Sequence, residues 1–259
     1  MYDKLLTITE VAKLLGVSPS TLRRSEANGQ VKEYGLNVVY TPGGQRRYIF
    51  DEIHDIYSKG GFSSKVGFGQ HCALLIRDLT KAFITDGSRL SIKTPISIAG
   101  VDELVAAARL AEVPIVFTKT VYIEGDAFSE LWARKFPAVK TLLPEAVHNA
   151  PIVEIANVDF DRVQATSYVS DFWDTGLVDY LRDKKIDTII LMGATASGSI
   201  RATTVEGIQH GFQVIIPRET IGDRSQSLLD MTVLDLNARY ADIVSVADTV
   251  QHFRSLEAK

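Results

Sequence analysis

A stretch of small residues at 193–203 carries the residue types best suited to chemistry in this chain. It follows the apolar run 188–192 and precedes a helical pattern that ends at Gly211, so a strand, a tight turn and a helix start are predicted. Such a turn exposes the side chain at its tip, here Ser199, and directs free backbone N–H groups towards an anion or a developing oxyanion. The spacing is typical of a turn that presents a nucleophile.

The chain around this turn alternates between apolar strand-like runs and helical patterns. The runs lie at 73–77, 114–118, 162–166, 188–192, 213–217 and 243–246, and the helical patterns at 101–111, 175–184, 199–210 and 226–240. This alternation predicts an α/β fold with a three-layer, doubly wound and mostly parallel sheet. Ligands of such sheets bind beyond the carboxyl ends of the strands, which is where Asp78, Thr166 and Ser199 all fall.

Four blocks of this region resemble the isochorismatase-like cysteine hydrolases, and most closely their N-carbamoylsarcosine amidase branch. The blocks are ALLIRDLTKAF, SYVSDFWDTGL, GATASGSIRATTVEGIQHGF and PRETIGDR. The resemblance implies a catalytic aspartate, lysine and cysteine at the positions of Asp78, Thr166 and Ser199. It also implies a cis peptide bond between Ala194 and Thr195 that helps to form an oxyanion hole.

Two of these three catalytic positions depart from the family pattern, since the thiol and the lysine are both absent. A thiol at a helix N-terminus beside a cation reacts as a thiolate, whereas a serine hydroxyl needs a dedicated base. The departures predict a domain without enzymatic activity, a pseudoenzyme that binds a small effector with an amide, carbamoyl or carboxylate group. The residues expected to bind it are Asp78, Ala194, Thr195, Ser199 and Trp173.

Simpler roles stay open for several of these residues. Ser199 is equally consistent with a plain helix cap, and Thr166 with an ordinary β-branched strand residue. Arg201 is expected to form a structural ion pair. The only cysteine, Cys72, lies just before another apolar strand and far from Ser199 in the sequence.

The first 57 residues read as a separate small domain with a helix-turn-helix and a hairpin. Helical patterns on either side of Gly16, the second beginning at Ser18-Pro19, are followed by a turn at 41–45. The blocks GVSPSTLRR and GGQRRY resemble the MerR-type winged helix-turn-helix. The residues expected to contact DNA are Thr21, Arg23, Arg24, Arg46, Arg47 and Tyr48. A Gly- and Ser-rich linker is predicted at 58–69 and the effector-binding domain at 70–259.

Composition sets the remaining expectations. The net charge of −4 confines nucleic-acid binding to a local patch, and a single cysteine fits a reducing compartment. There is no apolar run long enough for a membrane span, and the five histidines show no metal-ligand spacing. A cytoplasmic protein without metal, cofactor or membrane partner is therefore expected.

Together these patterns favour a transcriptional regulator that binds a palindromic operator as a homodimer or homotetramer and senses a small-molecule effector. One alternative is an active amidohydrolase with an appended DNA-binding domain, either a serine variant or an engineered Cys-to-Ser form of a cysteine hydrolase. A scaffold that binds neither DNA nor ligand is the third hypothesis.

Overall fold

The computed structural model describes residues 5–33, 36–50, 52, 56, 61–62, 64–152, 155 and 158–257. The chain divides into two compact units. Unit 1 comprises Met1–Lys65 with Asn237–Arg239, and unit 2 comprises Val66–Leu236 with Tyr240–Lys259. Of the linker predicted at 58–69, residues 58–60 and 63 lie outside the described residues.

Short helices and short strands make up the described part of unit 1. They are β1 (Leu5–Leu6), α1 (Ile8–Leu14), α2 (Pro19–Ala27), α3 (Gln30–Glu33), β2 (Val38–Tyr40) and β3 (Arg46–Ile49). Strand β3 pairs with both β1 and β2, and both pairings are antiparallel. Strands β2 and β3 thus form the hairpin that the sequence predicts around 41–45.

The caps of the first two helices explain why these short segments are helical. Thr7 Oγ1 accepts the N–H of Glu10 at 3.3 Å, and the Glu10 carboxylate accepts the N–H of Thr7 at 2.7 Å, which is a reciprocal capping box. Ser18 Oγ accepts the N–H of Thr21 at 3.0 Å, and Pro19 takes the first helical position of α2. Thr7 and Ser18 are therefore the N-caps of α1 and α2.

Unit 2 alternates between strands and helices along most of its length. Its first half contains β4 (Cys72–Arg77), α4 (Lys81–Ile84), α5 (Ile98–Leu110), β5 (Ile115–Thr120), α6 (Ala127–Lys135) and β6 (Arg162–Thr166). Its second half contains α7 (Leu177–Asp183), β7 (Thr188–Ala194), α8 (Arg201–Gln209), β8 (Gln213–Pro217), β9 (Ile221–Gly222), α9 (Gln226–Arg239), β10 (Asp242–Val244) and α10 (Val246–Glu257).

The described strands of unit 2 form one sheet in the order β10, β8, β7, β4, β5, β6, with β9 also paired to β7. Each of their pairings is parallel. The chain winds outward from β4 to β6, returns to β7 beside β4, and then continues to β10 at the opposite edge. This topology confirms the predicted α/β fold with a parallel central sheet.

The central strands β4 and β7 are buried along their whole length, which accounts for their continuous apolar sequences. Leu74 and Ile76 of β4 lie in one core cluster with Leu104 of α5 and Phe253 of α10, and α5 packs against α10. A second cluster includes Ala194 at the end of β7, together with residues of α4 and α6. The end of β7 is therefore packed against α4 and α6.

The helices α6 and α10 are the two longest described elements that the sequence patterns miss. Helix α6 has a clear local cause. Asp126 begins it by accepting the N–H of Ser129 at 2.8 Å, so the helix depends on a local cap more than on a long apolar period. Within the described ranges, every helix is too short or too polar to cross a lipid bilayer.

The close approach of β4 and β7 requires a glycine at one position. Gly193 of β7 pairs with Arg77 of β4 and has a φ of +124°. A methyl group added to Gly193 would overlap the carbonyl oxygen of Arg77. The backbone conformation and the lack of space therefore both exclude a side chain here.

We expect Gly193→Ala to lower the free energy of unfolding by at least about 2 kcal/mol, since it adds overlap to a strained φ. Gly211→Ala is the matched control, because Gly211 also has a positive φ, +89°, but no atom lies within 4 Å of an added methyl group. Its cost should be about 1 kcal/mol. Urea denaturation of both variants measures the difference, and equal losses would contradict the close-approach argument.

Candidate functional site

The carboxyl ends of β7, β4, β5 and β6, four neighbouring strands, lie at the same edge of the sheet. Asp78 directly follows β4, Thr166 ends β6, and Ser199 lies between β7 and α8. All three side chains are buried. The structure thus brings the three predicted positions to the edge where parallel sheets bind ligands.

The turn that carries Ser199 begins at a cis peptide bond between Ala194 and Thr195. The backbone N–H groups of Gly198 and Ile200 both donate to the carbonyl oxygen of Thr195, at 3.0 and 3.2 Å. These bonds hold Ser199 in the turn that leads into α8. The start of a helix favours negative charge, because its backbone dipoles point their positive ends there.

Asp223 supports the same turn from the other side. It lies in the PRETIGDR block, but the sequence analysis gave it no role. Its carboxylate is fully buried, and its Oδ2 accepts the N–H of Ser197 at 2.6 Å. The N–H of Asp223 in turn donates to Thr94 Oγ1 at 2.7 Å. Asp223 therefore ties the segment after β9 to the turn that carries Ser199.

Asp78 is held in place by the end of β5. Its Oδ1 accepts the N–H of Thr120 at 2.6 Å, and its Oδ2 accepts the hydroxyl of Thr120 at 2.8 Å. Its own N–H donates to the carbonyl oxygen of Thr118 at 2.9 Å. Asp78 has a φ of +53°, a left-handed conformation that turns its side chain out of the strand direction.

Arg77, the last residue of β4, connects these separate positions. Its guanidinium is fully buried, and its Nε forms an ion pair with Asp78 Oδ2 at 3.0 Å. Its Nη1 donates to Asp171 Oδ1. Its Nη2 lies within hydrogen-bond distance of three oxygens: Thr120 Oγ1 at 2.7 Å, the Tyr168 carbonyl oxygen at 3.2 Å and Ser199 Oγ at 3.4 Å. Asp78 and Ser199 therefore belong to one hydrogen-bond network.

The charges of this network are unequal, since one cation faces two buried carboxylates. Burial opposes the charge of Arg77, but Asp171 and Asp78 outweigh that effect and raise the pKa of Arg77. Burial raises the pKa of Asp171 more than Arg77 lowers it, and Asp78 adds to the rise. Asp171 is therefore the carboxylate that retains a proton more readily than an ordinary aspartate.

Thr166 and Trp173 have different surroundings. Thr166 Oγ1 accepts the N–H of Tyr168 at 3.1 Å, so it orients the segment whose carbonyl oxygen contacts Arg77. Trp173 is 59% exposed, and its ring centre lies 6.2 Å from that of Tyr168. The proposed contact of Trp173 with a ligand stays a prediction.

Sequence reasoning missed four residues of the site: Arg77, Thr120, Asp171 and Asp223. Arg77 left a signal, because it is a charged residue at the end of an otherwise apolar run, and buried charges are rarely left without partners. Asp171 and Asp223 lie in two of the family-like blocks, but only the family's three catalytic positions were assigned from them, and Thr120 lies outside the blocks. Their roles depend on contacts between segments far apart in the chain.

Arg201 forms an ion pair with Asp235, which confirms its predicted structural role. Within the described ranges, no three His, Cys, Asp or Glu side chains come together in a way that could hold a metal ion.

The residues singled out in unit 1 occupy different environments. Arg23, Arg24 and Arg46 are exposed, and Arg46 pairs with Glu26 at 3.0 Å. Thr21 Oγ1 lies 2.8 Å from Ser18 Oγ, and Arg47 donates to Gln45 Oε1 at 2.9 Å. Tyr48 is fully buried, which differs from the surface position that its predicted DNA contact requires.

Comparison with known proteins agrees with the hydrolase-like arrangement of unit 2, a parallel α/β sheet with a candidate nucleophile between a strand and a helix. The isochorismatase domain family matches residues 72–248, which is more than half of the chain. The chain therefore belongs to the isochorismatase family.

Two curated relatives extend this comparison. An N-carbamoylsarcosine amidase of Arthrobacter sp. is 34% identical over 214 residues, covering 80% of each chain. A maleamate amidohydrolase of Pseudomonas putida is 32% identical over 203 residues, covering 76% of this chain and 94% of the relative. The structure of a cysteine hydrolase from Pseudomonas syringae pv. phaseolicola has a TM-score of 0.68 at 18% identity, and the match covers 74% of this chain and 97% of the hydrolase chain. At this identity the likeness shows the fold alone.

These findings correct the interpretation of the chain as a DNA-binding transcriptional regulator with a silent hydrolase domain. Both relatives are named as amide hydrolases and cover most of the chain, so the pseudoenzyme prediction is wrong. Neither the family match nor the relatives support a MerR-type domain, DNA binding or transcriptional regulation. The error has a physical reason: the lost lysine suggested a site without a cation, whereas Arg77 places one beside Ser199.

We expect the stability of Asp171→Asn, relative to the wild type, to rise with pH. Because the pKa of Asp171 is raised in the folded state, its contribution to stability is complete below its ordinary value of 3.8 and is lost as pH rises through the folded-state pKa. Urea denaturation over a pH series that starts near pH 4 and extends upward measures this trend, since a raised pKa places the whole change above the ordinary carboxyl value.

Asp126→Asn provides a control of opposite sign. The pKa of Asp126 is lowered, first by the backbone N–H of Ser129, so its contribution is present at neutral pH and is lost as pH falls. The stability of this variant relative to the wild type should therefore fall as pH rises towards the ordinary aspartate value of 3.8, and it should stay nearly constant above about pH 5. The same trend in both variants would contradict the assignment of Asp171.

Proposed function

We propose that unit 2 is an amidohydrolase that cleaves the C–N bond of an amide or carbamoyl group, with Ser199 as the nucleophile. The observation that carries this proposal is the buried hydroxyl of Ser199 at the start of α8, 3.4 Å from the guanidinium of Arg77. The identity of 34% to an N-carbamoylsarcosine amidase supports the reaction class.

The reaction proceeds through an ester of Ser199. Ser199 Oγ forms a bond to the carbonyl carbon and gives its proton to a base, after which the C–N bond breaks and the nitrogen leaves with that proton as ammonia or an amine. A water molecule then attacks the ester carbon, the bond to Oγ breaks, and Ser199 regains a proton as the acid leaves.

Asp78 is the better placed of the two carboxylates to act as the base. It shares the network of Ser199 through Arg77 and Thr120. Asp171 has a raised pKa and is bound to Arg77, so it gives up its proton less readily than an ordinary aspartate. Hydrogen bonds of catalytic bases are often long before substrate binds, and the indirect contact of Asp78 is compatible with this role.

The names of the two relatives suggest the substrates to test first. N-carbamoylsarcosine and maleamate each combine a terminal –CO–NH₂ group with a carboxylate. We infer that this chain acts on a small molecule of the same kind. The predicted ligand contacts, Asp78, Ala194, Thr195, Ser199 and Trp173, remain part of this proposal.

For unit 1 we propose a winged helix-turn-helix fold and no role in the hydrolysis. The order of its elements supports this, since α1 and α2 are separated by a turn at Gly16 and are followed by the β2–β3 hairpin.

Ser199→Ala should remove the release of ammonia from the substrate that the wild type accepts. Loss of the serine nucleophile costs on the order of 10⁶-fold in turnover in the best-measured hydrolase. Ser91→Ala is the matched control, because Ser91 is 6% exposed and Ser199 7% exposed, and Ser91 only donates to the carbonyl oxygen of Ile92. The turnover of the wild type and of the two variants is measured as ammonia release from N-carbamoylsarcosine and from maleamate.

Ser91→Ala should retain turnover within about threefold, because the hydrogen bond that it removes is neutral and local, and such bonds contribute only about 1 kcal/mol to stability. A Ser199→Ala protein as active as the wild type would contradict the nucleophile assignment. Absence of C–N cleavage by the wild type on a panel of small amides and carbamoyl compounds would contradict the amidohydrolase proposal itself.

A further inference from the structure

The buried guanidinium of Arg77 is held at two of its edges by carboxylates that the fold fixes in place. Asp78, which pairs with its Nε, accepts two hydrogen bonds from Thr120. Asp171, which pairs with its Nη1, is anchored because its own N–H donates to Thr203 Oγ1 at 3.1 Å. Since a planar guanidinium held at two edges cannot rotate, its third edge has a fixed direction.

That third edge faces Ser199. Of the Nη2 contacts, those to Thr120 Oγ1 and the Tyr168 carbonyl oxygen are 2.7 and 3.2 Å long, whereas the contact to Ser199 Oγ is 3.4 Å. Hydrogen bonds from an arginine to an oxygen anion are shorter than this. The contact therefore has room to strengthen if the oxygen of Ser199 becomes negatively charged.

We propose that Arg77 is the positioning residue of the site: it orients Ser199 Oγ and stabilises negative charge on the group at position 199. The inference rests on the proposed function for its catalytic meaning, because a charged Ser199 oxygen matters only if Ser199 attacks the substrate. Arg77 retains its own proton throughout, since a guanidinium is not deprotonated in proteins. The charge effect, in contrast, can be measured without any substrate.

A thiol at position 199 makes this effect measurable, because the pKa of a cysteine is read directly from the pH dependence of its alkylation. In Ser199→Cys, we expect iodoacetamide to modify the new thiol with a midpoint below the ordinary value of about 8.5. Cys72 provides an internal reference in the same protein, since burial raises its pKa to about 12. Mass spectrometry of peptides separates the two sites.

Removal of the cation should reverse the shift. Adding Arg77→Met and Asp171→Leu to Ser199→Cys replaces Arg77 and one of its two carboxylate partners by apolar side chains, while Asp78 keeps its two hydrogen bonds from Thr120. We expect the alkylation midpoint to rise by at least about one pH unit, or tenfold less thiolate near neutral pH. The titratable groups that face Arg77 are Asp78 and Asp171, and only Asp78 remains in this variant.

Arg201→Met with Asp235→Leu, again in Ser199→Cys, is the matched control. It removes an ion pair of the same type at the start of α8, in which Arg201 is partly exposed. A screened charge of this kind should move the midpoint by less than about 0.3 units. A comparable rise in both variants would overturn the specific role of Arg77 and indicate a general loss of positive charge near the helix.

Arg77→Lys keeps the inference testable if the apolar replacement does not fold. A lysine retains the charge but presents a compact ammonium in place of the fork, so the midpoint should lie above that of Ser199→Cys alone and below the ordinary thiol value of about 8.5. An unchanged midpoint in the folded Arg77 variants would overturn the inference. That result would leave the amidohydrolase proposal intact, since ammonia release and its loss in Ser199→Ala test that proposal separately.

Discussion

A buried arginine at the end of a central strand sets the constraint on which the site depends. Moving an unpaired charge out of water costs several kcal/mol even after the protein relaxes, so Arg77 must find partners on every side. It does so by gathering groups from three segments: Asp78 from its own strand end, Thr120 from β5 and Asp171 from the segment before α7. Ser199 Oγ is a further partner of the same guanidinium, through Nη2.

The parallel sheet provides the frame for this arrangement, because the carboxyl ends of neighbouring strands meet at one edge. Gly193 allows β7 to approach Arg77 of β4 closely enough for the two strand ends to carry adjacent parts of the site. Asp223 then fixes the turn before Ser199 through the N–H of Ser197. Backbone geometry, more than side-chain size, thus determines where the hydroxyl of Ser199 lies.

The sequence predicts the sheet and the strand-end positions well, since both follow from local periodicity. Strand β6, Arg162–Thr166, and strand β8, Gln213–Pro217, have the predicted bounds, and Asp78 and Ser199 lie at the predicted edge. It does not predict the Arg77–Asp171 contact, because the two residues are 94 positions apart and nothing in the sequence of either segment indicates the other. The wrong prediction of a domain without enzymatic activity has the same cause. The missing lysine is visible in the sequence, whereas the contact between Arg77 and Ser199 is not.

The protonation of Asp171 decides how much of the charge of Arg77 remains for Ser199. With both carboxylates ionised, the cluster of Arg77, Asp78 and Asp171 would be net negative and would oppose a second anion at Ser199. With a proton on Asp171, the cluster is net neutral, and the guanidinium edge that faces Ser199 acts as a fixed dipole among buried groups. The raised pKa of Asp171 favours this second state. A hydroxyl nucleophile, which is harder to ionise than a thiol, depends on this state more strongly than a cysteine would.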